Sequence, residues 1–362
     1  MPQIVVNYTE DIVNGTLEIL EASTLKSLIA PGMRVSLKPN MVISKPPSQG
    51  ATTHPEVAEG IIIYLKRLGI KEIEIIESAW IGDNTMRVYK TCGYERLRDK
   101  YGVELIDLKK DCVVKVKSGK YDFSVCEKAL DTDFLINIPV LKGHCQTTMT
   151  CCLKNLKGCI PDSEKQRFHT MGLHGPIAWL NKSIKTGFCV IDGICGDLSF
   201  EEGGNPVTRN MLICGDDPLL LDTYCAGLLG HRAGDVRYLA IAAETGVGEV
   251  FSQDTKITCL NAGNKPMFDN RATGAAKRLA QYIIEDGACS ACYSALIQGL
   301  KTSGVVPREK IRVGQGFKGK HGKVGCGSCT SGFDSCIKGC PPKALDVAEF
   351  LRAYSSNIIW LI

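Results

Sequence analysis

Several things are scarce in this chain of 362 residues, and each shortage closes a class of function. No apolar run reaches the ~18–20 residues needed to cross a bilayer, so no membrane segment is expected. The start, Met1-Pro2-Gln3-Ile4-Val5-Val6, has no basic stretch leading into an apolar one, which argues against a secretory signal. Neither sign of charge is in much excess: 43 Lys and Arg face 39 Asp and Glu, leaving +4 at pH 7. No block of like charges and no basic stripe studded with aromatics occurs, so nucleic acid is not an expected partner. Repeats and low-complexity segments are absent as well. These shortages point to a cytoplasmic protein. A hydrophobic content of 44% and a charged content of 23% are ordinary for a globular chain. The length suffices for one large core or two modest ones.

Cysteine, by contrast, is plentiful, with 18 residues. In a long chain without a signal, scattered thiols argue against disulfides and suit a reducing compartment. Those from Cys92 through Cys259 stand singly or in apolar strings such as Phe188-Cys189-Val190 and Leu212-Ile213-Cys214, and read as small buried hydrophobes. The remaining six crowd into one stretch: Cys289-Ser290-Ala291-Cys292, Cys326-Gly327-Ser328-Cys329, Cys336, and Cys340-Pro341-Pro342. Thiolates are strong ligands for soft metals, and C-x-x-C puts two on one turn where both reach one centre.

This stretch reads as the site of one [4Fe–4S] cluster, which takes four converging thiolates. Cys289 and Cys292 are natural ligands. Cys340 precedes Pro341, and a proline after a ligand cysteine cannot offer a competing N–H. For the remaining ligand Cys329 is preferred, because Gly325 and Gly327 let the backbone approach closely. Cys326 and Cys336 are the alternates. Three competing readings stay open: a local cluster on Cys326, Cys329, Cys336 and Cys340; a zinc ribbon on Cys289, Cys292, Cys326 and Cys329; and no metal at all.

Upstream, strands and helices alternate. Strands are expected at 3–8, 34–38, 72–77, 103–108, 133–140, 188–192, 210–214 and 256–261. Helices are expected at 11–29, from Thr53 to Leu68, at 85–100, 147–157, 218–229 and 235–245. Thr53-His54-Pro55-Glu56 has the form of a capping box. The segment 112–129 reads as strand-turn-strand, and 272–302 as helical with the first C-x-x-C inside it. The apolar tail 356–362 reads as a docked edge segment. This β-α-β spacing predicts an α/β fold with mostly parallel sheets and helical crossovers. Residues 1–265 would form the α/β part with a polar anion-binding pocket. Residues 266–362 would form a helical and loop segment holding the cluster.

The pocket is read from polar residues at strand ends, where open α/β sheets bind ligands. Lys38 and Asn40 close the second strand. Thr53 and His54 stand at a helix start, which favours an anion. Lys142 and His144 follow the apolar strand, and Lys154 and Asn155 come one helix later. Asp192 ends another strand and could orient an imidazole. Lys142, His144, Lys38 and Asp192 are the catalytic candidates. Asn40, Thr53, His54, Lys154 and Asn155 are the ligand-binding ones. A nickel or zinc site on His144, Cys145, Cys151 and Cys152 is conceivable, although no spacing compels it.

The strings Leu37-Lys38-Pro39-Asn40, Thr53-His54-Pro55-Glu56, Ile136 to His144, and Leu153-Lys154-Asn155-Leu156-Lys157-Gly158 resemble the family called domain of unknown function number 362. Asp192-Gly193 and Gly215-Asp216-Asp217-Pro218 with Asp222 fit the same pattern. Many of its members carry an iron-sulfur segment, so the resemblance implies a cluster here. The cysteine pattern of the C-terminal stretch also resembles the proximal-cluster pattern of hydrogenase small subunits, which implies the ligands Cys289, Cys292, Cys329 and Cys340. The N-terminal half is loosely similar to the nickel-dependent lactate racemase superfamily, which implies a pocket facing a small carboxylate or a nucleotide-like cofactor. Three functions follow: an iron-sulfur oxidoreductase acting on a small anionic substrate; an electron-transfer protein without a substrate, working with a redox partner protein; or a non-redox isomerase or lyase with a structural metal.

Overall fold

The computed structural model describes residues 2–144, 146–197, 201, 203, 206–265, 278–288 and 290–356, except for the side chains of 290, 291, 294, 355 and 356. Cys145, Cys289 and the tail beyond residue 356 therefore lie outside the described residues. Two compact units divide the chain: residues 1–143 with 147–268, and residues 144–146 with 269–362.

The strands are β1 (Gln3–Tyr8), β2 (Arg34–Pro39), β3 (Glu72–Glu77), β4 (Glu104–Asp107), β5 (Val113–Ser118), β6 (Tyr121–Cys126), β7 (Phe134–Ile138), β8 (Lys142–His144), β9 (Thr148–Thr150), β10 (Phe188–Asp197), β11 (Pro206–Gly215) and β12 (Lys256–Leu260). Eight of them form one sheet in the order β12-β1-β11-β10-β7-β2-β3-β4. Every adjacent pair is parallel except those made by β11, which runs against both β1 and β10.

Helices cover both faces, which is why these strands are apolar on both sides rather than on alternate residues. Val35, Leu37, Ile73, Ile75, Ile136 and Ile138 share one core with residues of the helix Pro55–Arg67. Ile76, Leu135, Cys189 and Ile191 share the other with the helices His174–Ser183 and Pro218–Leu228. β5 and β6 form a separate antiparallel hairpin.

Local chemistry overrides some of the expected elements. The helix expected over 85–100 is two helices, Thr85–Thr91 and Glu95–Tyr101, separated where Gly93 turns to φ +79°. The helix expected over 147–157 is a strand, one helical turn (Cys152–Asn155) and a 3-10 turn (Leu156–Cys159). There is no capping box at Thr53. His54 is the N-cap, Pro55 starts the helix, and no side chain caps it, because the Thr53 hydroxyl bonds to another strand.

The second unit is not simply helix and loop. β13 (Ile283–Glu285) interrupts the helical stretch expected over 272–302, and it opens a four-stranded parallel sheet with β14 (Ile311–Val313), β15 (Val324–Cys326) and β16 (Ser335–Ile337). The helices Ser290–Ser303 and Ala344–Ser356 pack together so closely that a Cβ on Gly299 would overlap Val347.

Candidate functional site

After β2 the chain moves outward through β3 and β4, then returns to add β7, β10 and β11 on the other side of β2. Strand order therefore reverses between β2 and β7, and the crevice past their carboxyl ends is where such sheets bind ligands. Most of the polar residues singled out above meet there, or just beyond the ends of β3 and β10.

Lys38, at the end of β2, is fully buried. Its ammonium pairs with Glu77 of β3 at 2.8 Å and also donates to the Pro39 carbonyl and Asn155 Oδ1. Glu77 is further held by the backbone N–H groups of Met41 and Ser78. Asn155 donates to the Lys38 carbonyl and to Asn137 Oδ1 on β7, and Asn137 donates to the Cys152 carbonyl. Gly158 packs directly on the ion pair: a Cβ there would lie 2.0 Å from Glu77 Oε1 and 2.6 Å from Lys38 Nζ.

Beside this pair, Thr53 ties β2 to β7. Its hydroxyl accepts from the Asn40 N–H and donates to the Ile138 carbonyl, both at 2.8 Å. Asn40 in turn accepts from Lys142, whose buried ammonium also donates to the Ala51 and Glu201 carbonyls. The Glu201 side chain pairs with Lys154, which also donates to Thr150. Two buried lysines are thus gathered around one loop residue.

The third group is His54 and Asp192. Asp192 lies on β10 and is fully buried; its backbone is clamped between the Pro139 carbonyl and the Leu141 N–H. Its carboxylate accepts from the backbone N–H of His54 and Ile194, and it lies 2.8 Å from His54 Nδ1. The His54 ring keeps 13% of its surface exposed. Burial works against the charged imidazole, but the Asp192 carboxylate outweighs it and holds the His54 pKa above its ordinary value. Nδ1–H donating to Asp192 leaves Nε2 as the nitrogen that exchanges protons, the arrangement of an oriented general acid or base.

Of the predicted residues, Lys38 and Asn155 share one network, Asn40, Thr53 and Lys142 another, and Lys154 joins the second through Glu201. His54 and Asp192 form the pair. His144 is buried too, but it falls with the second unit, where its Nδ1 accepts from the Gln146 N–H. Glu77, Asn137 and Glu201 were not predicted as site residues. Glu77 is one of three glutamates in β3, so nothing in the sequence singles it out, and nothing marks Glu201.

In the second unit, parallel pairing of β15 with β16 sets Gly325 opposite Cys336 and Cys326 opposite Ile337. Two further bonds, Gly327 N–H to Ile337 and Ser328 N–H to Gly339, keep the two cysteine loops side by side. Cys292 Sγ lies 3.4 Å from where a Cβ on Gly327 would be, and Cys336 is within 3.5 Å of the Gly327 carbonyl. Burial, then the neighbouring Cys292 and Cys336, push the Cys326 thiol well up. Cys329 is half-buried and Cys340 exposed. The alternate Cys326 thus has both Cys292 and the other alternate, Cys336, as electrostatic neighbours. Among the described residues no helix is long and apolar enough to cross a membrane.

Residues 35–227, over half of the chain, match the family described as Domain of unknown function (DUF362). The chain is 26% identical over 240 residues to a thylakoid-associated protein of Synechocystis sp., covering 63% of this chain and 73% of that protein. Two solved structures are more remote. The lactate racemase apoprotein from Thermoanaerobacterium thermosaccharolyticum has 16% identity and a TM-score of 0.39, over 59% of this chain and 54% of its own. A protein from Thermotoga maritima has 14% identity and a TM-score of 0.39, over 65% of this chain and 59% of its own. The chain spans less than two thirds of either structure.

Proposed function

The chain belongs to the family described as Domain of unknown function (DUF362), and from there we propose that it is a [4Fe–4S] redox enzyme acting on a small anionic substrate. The observation that carries the enzymatic part is the His54–Asp192 pair. A buried carboxylate fixes the ring through Nδ1, and the part-exposed imidazole sits in the same crevice as the buried Lys38, Lys142 and Lys154. Lysines and the start of the helix Pro55–Arg67 favour an anion, which would take the place of the Glu201 carboxylate at Lys154 and of the Glu201 carbonyl at Lys142. His54 Nε2 would give or take the proton that accompanies each electron.

The donor set in the second unit suits a cluster: soft sulfur ligands on two paired loops, with glycine at the point of closest approach. The ligands would come from Cys289, Cys292, Cys329 and Cys340, with Cys326 and Cys336 as alternates. When bound, the cluster would supply single electrons, received from a redox partner protein.

Anaerobic purification with iron and sulfide quantitation and paramagnetic resonance tests the cluster; about four irons per chain and a reducible signal are expected. Colourless protein without iron or sulfide would rule it out. Thermal-shift screening with small carboxylates and phosphates tests the anion site. At least one anion should stabilise the protein and fail to stabilise Lys142→Met; no anion response in the folded protein would rule the site out.

A further inference from the structure

The unit that carries the crevice also contains a group of sulfurs the proposed reaction leaves unused. Cys151 precedes the helical turn Cys152–Asn155, and Cys152 begins it. Asp222 and Cys225 stand three residues apart on the helix Pro218–Leu228, so they share a face. Cys189 lies on β10. All five are fully buried. The donor atoms of Cys151, Cys152 and Asp222 lie within 4.8 Å of one another, and the two sulfurs are 4.0 Å apart. Cys225 is an electrostatic neighbour of Cys151, and Cys189 of Cys152.

Part of this has a simple purpose. Asp222 accepts from the Cys152 N–H at 2.7 Å and the Leu153 N–H at 3.0 Å, which caps the turn bearing Lys154 and Asn155. Capping accounts for a carboxylate at this place, and it does not account for four sulfurs around it. Each oxygen of Asp222 also keeps a second lone pair beyond its N–H bond.

The geometry suits a metal. Zinc bonds thiolate sulfur at about 2.3 Å, and tetrahedral angles then separate two sulfurs by about 3.8 Å. The observed 4.0 Å needs almost no adjustment. Thiolates and a carboxylate buried this completely need a cation to balance their charge, and a bound metal would supply it.

We propose that Cys151, Cys152 and Asp222, completed by Cys225, form a closed structural site for one thiophilic divalent cation of the zinc class. The ion would join the turn carrying Lys154 and Asn155 to the helix Pro218–Leu228. It would thereby set the position of two crevice residues without touching a substrate. This holds whether or not the second unit carries iron.

The full chain, purified without oxygen from zinc-supplemented cells, is the material for the test. About one zinc per chain is expected in addition to any iron, and Cys151→Ser should lose that zinc while its iron content stays unchanged. X-ray absorption at the zinc edge of the unmutated protein should give a mixed shell of sulfur with one oxygen. An all-sulfur shell would place the metal among the C-terminal cysteines and overturn the proposal. So would absence of zinc, or equal zinc in the unmutated protein and a folded Cys151→Ser variant. If that variant does not fold, the zinc content and edge spectrum of the unmutated protein decide alone.

Discussion

His54 and Lys38 each partner a buried carboxylate, and the two pairs differ in how far they are closed off from water. The folded pKa of His54 is raised above its ordinary value of 6.5. Its bond to Asp192 therefore stabilises the fold fully below pH 6.5 and loses that contribution as pH rises through the folded value. In Asp192→Asn the carboxylate charge is gone while burial remains, so the His54 ring should titrate at a lower pH, read from its proton resonances. An unchanged titration would show that Asp192 does not set the ring's charge. Lys38 is a different case, because neither partner reaches water. Lys38→Met would strand Glu77 as an uncompensated buried charge and should cost about 3–5 kcal/mol in urea unfolding. Adding Glu77→Leu should recover much of the loss; no recovery would mean the pair is not the source. At this scale Lys38 was legible, as a cation closing a strand. Its partner was not, since a β3 residue meets it only after the two strands pair in parallel.

The short turns following β7 show how elements, rather than single residues, place the crevice. Cys152–Asn155 is too short to be stable on its own. Asp222 of a distant helix takes up its free N–H groups, and Gly158 lets the next turn lie on the Lys38–Glu77 pair. Gly158→Ala should destabilise by about 1–3 kcal/mol through overpacking, and should displace the Lys154–Asn155 turn. Urea unfolding measures the first and amide exchange at Asn155 the second; a neutral substitution would mean the turn has room to move. The helix expected here from the sequence was wrong for the same reason. The segment's residues suit a helix, but its hydrogen-bonding partners are tertiary. The capping box at Thr53 failed likewise, because its hydroxyl joins β2 to β7 instead.

At the scale of the whole molecule the proposed cluster belongs to one unit and the crevice to the other, and removing metal should tell the units apart. Oxidising the anaerobic protein in the presence of a chelator should bleach the proposed cluster and speed amide exchange in β13, β14, β15 and β16. The eight-stranded sheet, with its two large cores, should keep its protection. Equal protection of both units before and after treatment would argue that no metal supports the second.

The amino-acid order by itself determined the alternation of strands and helices and the mostly parallel sheet. It also determined the polar residues at strand ends and the crowding of thiols near residues 289–340. These are local matters of periodicity, turn residues and spacing, which need no knowledge of what lies opposite. Only the tertiary structure decided that β11 runs against its neighbours and that Glu77 and Glu201 face the buried lysines. It alone joined Asp192 to His54, Asp222 to Cys151 and Cys152, and Cys292 and Cys336 to Cys326. Each of these pairings depends on strand order and register, which bring together residues far apart along the chain.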